Sequence, residues 1–272
     1  MLKFRLLVYA IVTVLLFSFC IIAQEIDTLK CMFLADVVPL SDNDQAVFDT
    51  LSTWVDSVAI VQPVTLQGAA PEVYEPYDFI FMSESINSVN AIHVKKIPLP
   101  MVVSEGWATQ DASLAWSPGA NNYPAEPIVI VEGATGHPLA AGYEAGDEID
   151  IISSVGSLLE DICAHRPTID KIPIAVLKSD PTLFVVYGVL AGTLNRNLEL
   201  TENRASMVAI HANAYLNITD AGWAFFRAGI YWVMDFTPVS IESEETISLS
   251  NFSLDQNYPN PFNPSTTIKY NL

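Results

Sequence analysis

The chain has 272 residues, of which 51% are apolar and only 16% charged, and 31 acidic residues against 12 basic ones give a formal net charge of −19. This content of branched aliphatic and aromatic residues excludes a disordered acidic protein. The shortage of Lys and Arg argues against nucleic-acid binding, because neutralising phosphates requires clustered cations.

The chain begins with the pattern of a secretory signal peptide. Lys3 and Arg5 precede an apolar run over residues 6–22, and Ala23 supplies the small residue that signal peptidase accepts. The expected mature start is therefore Gln24. An uncleaved membrane anchor is the alternative, although a run of about 17 residues is short for a membrane span. Cleavage would remove two basic residues and no acid, leaving 10 basic against 31 acidic residues and a net charge of −21.

The predicted middle domain, residues 24–235, alternates short apolar runs with helix-like stretches. Ser41 and Thr219 are the predicted N-caps of two helices, each followed by apolar residues at helical spacing. Short, continuously apolar strands between such stretches indicate an α/β fold with a mostly parallel sheet buried on both faces. The predicted strands cover residues 31–37, 58–61, 78–82, 101–103, 128–131, 149–152, 172–177, 183–190 and 205–211.

Two cysteines remain after the expected cleavage. Cys31 falls in a strand-like run and Cys163 in a helix-like one. We expect both to be buried free thiols and not partners in a disulfide, because the sequence does not show that they lie within bridging distance. His93 and His165 are interpreted as surface residues at helix ends. No Cys or His pair has ligand-like spacing, so neither a metal nor another cofactor is predicted.

Polar residues follow several of the predicted strands. The carboxyl ends of parallel strands meet at one edge of the sheet, where ligands bind. The candidate catalytic residues at this edge are Ser83, Ser85, Glu105 and His211, with a serine as nucleophile and His211 as base. Asp36 and Glu84 are candidate binding residues. In the alternative interpretation the serines cap the next helix, Glu84 and Glu105 are solvated or hydrogen-bonded in loops, and His211 is a buried, satisfied histidine.

A long loop over residues 106–127 is rich in Pro, Gly and Asn and carries Trp107 and Trp116. Long loops on a rigid scaffold often carry function. The two tryptophans are therefore candidate binding residues that could stack on sugar rings. The alternative is that they cover the edge of the sheet as buried aromatic side chains.

The last 37 residues divide into a predicted linker, 236–250, and a motif-rich end, 251–272. Three prolines within eight residues favour turns, and residues 267–272 alternate in polarity like a half-buried strand. The eight residues are Asn257, Tyr258, Pro259, Asn260, Pro261, Phe262, Asn263 and Pro264.

This end closely resembles the start of the β-sandwich C-terminal sorting domain used in type IX secretion. The resemblance implies passage through the inner-membrane export machinery and then the type IX secretion machinery. The expected location is extracellular or at the outer cell surface. Sorting domains of this family continue for several more strands, so we expect residues 251–272 to be a truncated copy.

The middle domain carries a second resemblance. The segments over residues 77–85, 100–105, 136–142, 204–211 and 217–223 are similar to the class I glutamine-amidotransferase-like superfamily, and most of all to its trehalose-utilisation-like (ThuA-like) branch. This implies a flavodoxin-like three-layer α/β sandwich. The chain departs from the family because neither cysteine lies in a Gly-flanked elbow and Ala212-Asn213 replaces the Pro-Glu pair that often follows the histidine. Glutamine amide hydrolysis is therefore not expected.

Three hypotheses for the function follow. The first is a non-catalytic binding module for a glycan or another small molecule, displayed outside the cell. The second is a secreted serine-type hydrolase of glycans or esters. The third is a passive subunit of a larger surface assembly.

Overall fold

The computed structural model describes residues 26–153, 160–202 and 204–236. The predicted signal peptide, the sorting motif and the linker beyond Phe236 lie outside the described residues. In the described ranges, none of the helices has the length and apolar character needed to cross a membrane.

Eleven strands and two α-helices form the described part of the chain. The helices are α1 (Asp42–Trp54) and α2 (Asp220–Val233). The strands are β1 (Lys30–Leu34), β2 (Ser57–Val61), β3 (Phe79–Met82), β4 (Met101–Val103), β5 (Ala120–Tyr123), β6 (Ile128–Ile130), β7 (Glu148–Ile149), β8 (Ile162–His165), β9 (Ile172–Leu177), β10 (Phe184–Val189) and β11 (Ala205–Val208). Five of the other connections contain short 3-10 helices among the described residues.

The strands form one mixed sheet in the order β2-β1-β3-β4-β11-β10-β9-β6-β7, with β8 pairing β10 and β5. The pairs from β2 to β11 are parallel, whereas those from β11 to β7 are antiparallel. The predicted α/β class is confirmed, and the parallel pairing holds for one half of the sheet. The other half turns back through short connections such as residues 178–183, which can join only antiparallel neighbours.

Both predicted helix starts are confirmed. Ser41 caps α1 by accepting a hydrogen bond from the Asp44 N–H at 3.1 Å, and Thr219 caps α2 by accepting one from the Gly222 N–H at 3.1 Å. Each cap satisfies an N–H group that the first turn of a helix leaves without a partner. The two helices contact each other through Trp54 and Trp223, whose rings meet edge to face with their centroids 5.9 Å apart.

Part of the core lies between these helices and the parallel strands, and the rest extends over the antiparallel half of the sheet. Phe33 of β1 stacks on Phe81 of β3 with ring centroids 5.6 Å apart, and Phe226 of α2 contacts Phe81 at 5.3 Å. Strands β3, β4 and β11 are buried along their whole length. This burial explains the continuous apolar runs in the sequence, because both faces of these strands are covered.

The interpretations of Cys163 and His165 by local pattern were wrong. Both belong to strand β8, which is buried throughout and pairs with β5. His165 is only 1% exposed, and its Nε2 lies 2.6 Å from the Tyr187 hydroxyl. Burial lowers the pKa of His165 to about 4, so its imidazole is neutral near neutral pH. A four-residue strand is too short to show a period that separates it from a helix.

Candidate functional site

The carboxyl ends of β3, β4 and β11 lie at the same edge of the sheet, because these strands are parallel neighbours. Glu84, Glu105 and His211 each follow one of these ends by two or three residues. The structure brings them close enough for Glu84 to contact His211 and for its charge to act on Glu105. We call these three residues the Glu–Glu–His cluster.

Glu84 and His211 are joined directly. Glu84 Oε1 lies 3.2 Å from His211 Nε2, and Glu84 Oε2 accepts a hydrogen bond from the Ala212 N–H at 2.8 Å. His211 Nδ1 accepts from the Asn213 N–H at 3.2 Å, so the neutral imidazole carries its proton on Nε2 and donates to Glu84. Burial lowers the pKa of His211, which favours this neutral form, although nearby Glu160 and Asp161 oppose the shift.

Glu105 is the most enclosed member of the cluster. It is 2% exposed, and its Oε1 atom is buried without a hydrogen-bond partner among the described residues. Burial, followed by the charge of Glu84, raises the pKa of Glu105 to about 9, although the N–H groups of Trp107 and Ala108 favour its ionised form. A buried polar atom without a partner costs free energy, and a bound ion, water or ligand is one of the reasons why a protein retains one.

Glu84 has a similar environment and is 8% exposed. Burial raises its pKa to about 8, and the charges of Asp44 and Glu160 contribute to the rise, whereas the Ala212 N–H lowers it. Near neutral pH both carboxyl groups are therefore predominantly protonated. A protonated carboxyl group can donate one hydrogen bond and still accept others.

The serines at this edge have other partners. The Ser83 hydroxyl donates to Asp44 Oδ1 at 2.5 Å, and the Ser85 hydroxyl lies 3.3 Å from Ser83 Oγ. No hydrogen bond joins either serine to His211 in the described ranges, so the Ser–His arrangement of the hydrolase hypothesis is not formed. Neither serine caps the following 3-10 helix, because Asn87 occupies that position.

Replacing Ser83 by Ala is expected to lower the free energy of unfolding by about 1–3 kcal/mol. Asp44 is fully buried, and it would lose the hydroxyl that donates to Oδ1. Urea unfolding measures the change. Ser85→Ala is the matched control and should stay within about 0.5 kcal/mol of the native protein. Equal losses in the two variants would show that the contact with Asp44 is not the cause.

The remaining predicted site residues have structural contacts. Asp36 Oδ2 accepts from the Asn87 N–H at 2.5 Å and from Asn90 Nδ2 at 3.2 Å, which ties the loop after β1 to the next connection. Trp107 is 36% exposed and donates through Nε1 to Asn122 Oδ1 at 3.3 Å.

Trp116 is 2% exposed and packs edge to face against Tyr187. It also lines a small pocket with Met101, at the amino end of β4. It therefore presents no open face to a sugar, and it does not join the Glu–Glu–His cluster at the carboxyl edge.

Two further residues complete the cluster's surroundings. Tyr215, four residues after His211, accepts from the Glu84 N–H at 2.8 Å and is fully enclosed. Cys163 comes from β8, which runs beside residues 209–211: its N–H donates to the Ala209 carbonyl at 3.1 Å. Sequence reasoning missed both residues. The spacing from His211 in a short helix could have indicated Tyr215, whereas Cys163 gives no local signal.

Both cysteines are buried free thiols, as predicted. Burial raises the pKa of the Cys163 thiol far above its usual value, and the charges of Glu105 and Glu84 raise it further. The thiolate is the nucleophilic form, so a thiol in this environment is inert. Within the described part of the chain, no group of three or more His, Cys, Asp or Glu side chains is arranged to hold a metal ion.

Searches of known protein families and of curated proteins found no match to this chain.

Proposed function

We propose that the chain is an exported binding module whose small-molecule site is the Glu–Glu–His cluster. The observation that carries the proposal is the buried Glu105 Oε1 atom, which has no partner among the described residues. Its position supports the same conclusion, because ligands of parallel sheets bind beyond the carboxyl ends of the strands. A bound molecule would supply the hydrogen bond that the protein does not provide.

The chemistry of the cluster favours binding over covalent catalysis. The Cys163 thiol is held in its protonated form, and the Ser83 hydroxyl is engaged by Asp44. His211 uses both ring nitrogens, one toward Asn213 and one toward Glu84. An activated nucleophile needs a base within hydrogen-bond reach, and these contacts leave neither side chain so arranged.

The finer architecture and the location belong to the same proposal. A flavodoxin-like three-layer sandwich related to the amidotransferase-like domains is supported by the parallel half of the sheet and by α1, which connects β1 to β2. The export route and cell-surface location rest on the sequence patterns of residues 1–23 and 251–272. Cell fractionation tests them, because the proposal requires the mature protein outside the cytoplasm.

Ligand-observed NMR with a panel of neutral sugars, polyols, amines and carboxylates tests the proposed site. We expect at least one class to bind, and we expect that binding to be lost in Glu105→Gln, which keeps the shape of the side chain. Glu132→Gln changes an exposed glutamate and should bind like the native protein. Binding that survives Glu105→Gln unchanged would place the ligand elsewhere, and a panel without any binder would refute the proposal.

A further inference from the structure

Among the described residues, the charged side chains that act on the Glu–Glu–His cluster are all acidic. Asp44 and Glu160 act on Glu84, Asp161 and Glu160 act on His211, and Glu84 acts on Glu105. Among the described residues, the Cys163 thiol and the Tyr215 hydroxyl are also close enough for the charge of Glu84 to act on them, and burial keeps both groups neutral.

No Lys or Arg in the described ranges forms an ion pair with the acids around the cluster. The basic side chains that form ion pairs do so with acids elsewhere: Lys95 and Lys96 with Glu199, Lys96 also with Glu202, Arg166 with Asp180, Lys178 with Glu148, Arg196 with Asp111 and Arg204 with Asp235. Buried acids are normally paired with a cation or kept neutral. Here no basic side chain in the described ranges provides a counter-charge, and the two glutamates are instead kept neutral by protons, which a cationic ligand could replace.

We infer that the ligand of this site is a small organic cation that places an ammonium group between Glu84 and the unpartnered Oε1 of Glu105. This inference rests on the proposed function and names the class of its ligand. An ammonium group offers three hydrogen-bond donors and one positive charge, so it supplies both the donor that Glu105 Oε1 lacks and the counter-charge that the cluster lacks.

The same observations disfavour the other ligand classes. An anion would meet several carboxyl groups and no cation. No three His, Cys, Asp or Glu side chains of the described residues are arranged to hold a metal ion. A neutral alcohol could donate to Glu105 but would carry no positive charge to stabilise the ionised form of either carboxyl group.

Binding of an ammonium group should displace a proton. The raised pKa values of Glu84 and Glu105 keep both carboxyl groups protonated near neutral pH, whereas an ammonium ligand favours their ionised form. Affinity should therefore increase with pH by up to about tenfold per pH unit for each proton released, until the carboxyl groups ionise without the ligand. A neutral alcohol releases no proton and shows no such increase.

Isothermal titration calorimetry of the protein with ethanolamine, ethylene glycol and acetate tests the inference. Ethanolamine and ethylene glycol are close in size and differ in one charged group. Titrations in two buffers with different heats of ionisation count the protons released. We expect ethanolamine to bind with release of about one proton, because one positive charge compensates one carboxylate. Acetate should not bind, and ethylene glycol should bind at least tenfold more weakly.

Variants separate this inference from the proposed function. Glu105→Gln should abolish both ethanolamine binding and proton release, whereas Glu132→Gln should keep both, with circular dichroism confirming that each variant is folded. Ethylene glycol or a neutral sugar that binds as well as ethanolamine and depends on Glu105 would overturn the ammonium class but support the proposed site. Ethanolamine binding without proton release, or unchanged in Glu105→Gln, would overturn the inference, as would no binding at millimolar concentration.

Discussion

Between pH 6.5 and about pH 8.5 the free energy of unfolding is expected to fall by about 3–5 kcal/mol. The cause is the buried acid pair, because the folded protein holds protons on Glu84 and Glu105 up to pKa values of about 8 and 9. In the unfolded chain both groups ionise near their ordinary value of 4.5. The folded state therefore binds more protons in this range, and each such group costs about 1.4 kcal/mol of stability per pH unit as the pH rises.

The histidines oppose this decline in the lower part of the pH range. His165 has a lowered pKa of about 4 in the fold against 6.5 unfolded, so its effect has the opposite sign and ends about one pH unit above 6.5, where the unfolded imidazole has lost its proton. His211 and His137 also have lowered pKa values, and their effects oppose that of the acids in the same way. Above about pH 7.5 the decline therefore reports mainly on the acids, until the thiols begin to titrate in the unfolded chain.

Urea unfolding at half-unit pH steps measures this decline, and Glu105→Gln is the decisive variant. It removes one titrating group while keeping the side-chain shape, so the slope of stability against pH should fall by about half. Glu132→Gln should leave the slope unchanged. A native protein with flat stability over the range would show that the two carboxyl groups are already ionised in the fold, and the proposed proton release would then lose its basis.

Gly106→Ala is expected to destabilise the protein by an amount at the upper end of the roughly 1–3 kcal/mol typical of overpacking. A methyl group at Gly106 would meet the backbone oxygen of Cys163 and would lie 2.6 Å from its Sγ atom. The backbone oxygen cannot move away without shifting β8, which is hydrogen-bonded to β5 and to residue 209. The cost is steric and does not come from an unusual backbone conformation.

Gly119→Ala is the matched control, because a methyl group there meets no atom within 4 Å. Its stability should remain within about 0.5 kcal/mol of the native protein. Thermal and urea unfolding compare the two variants. If Gly106→Ala were as stable as Gly119→Ala, the close approach of β8 to the loop after β4 would be wrong, and so would the position of Cys163 beside Glu105.

Some features of the fold could be predicted from local sequence patterns, and others could not. Strands β1 to β4 and both α-helices were predicted close to their observed bounds, because buried strands give continuous apolar runs and helices give caps and stripes. Glu84, Glu105 and His211 were also predicted, because they follow the carboxyl ends of strands, and the fold brings them together. Ser83 and Ser85 were predicted for the same reason, but the sequence could not show that the Ser83 hydroxyl donates a hydrogen bond to Asp44.

By itself the sequence determined the α/β class, the polar residues at the strand ends and the acidic balance, since each follows from local composition and period. Only the tertiary structure decided that half of the sheet is antiparallel, that β8 carries the Cys163 thiol to the cluster and that Trp116 is buried. It also decided that the acids at the carboxyl edge face one another without a basic partner in the described ranges. The physical reason is that strand pairing, burial and charge compensation depend on residues far apart in the chain, so no local pattern records them.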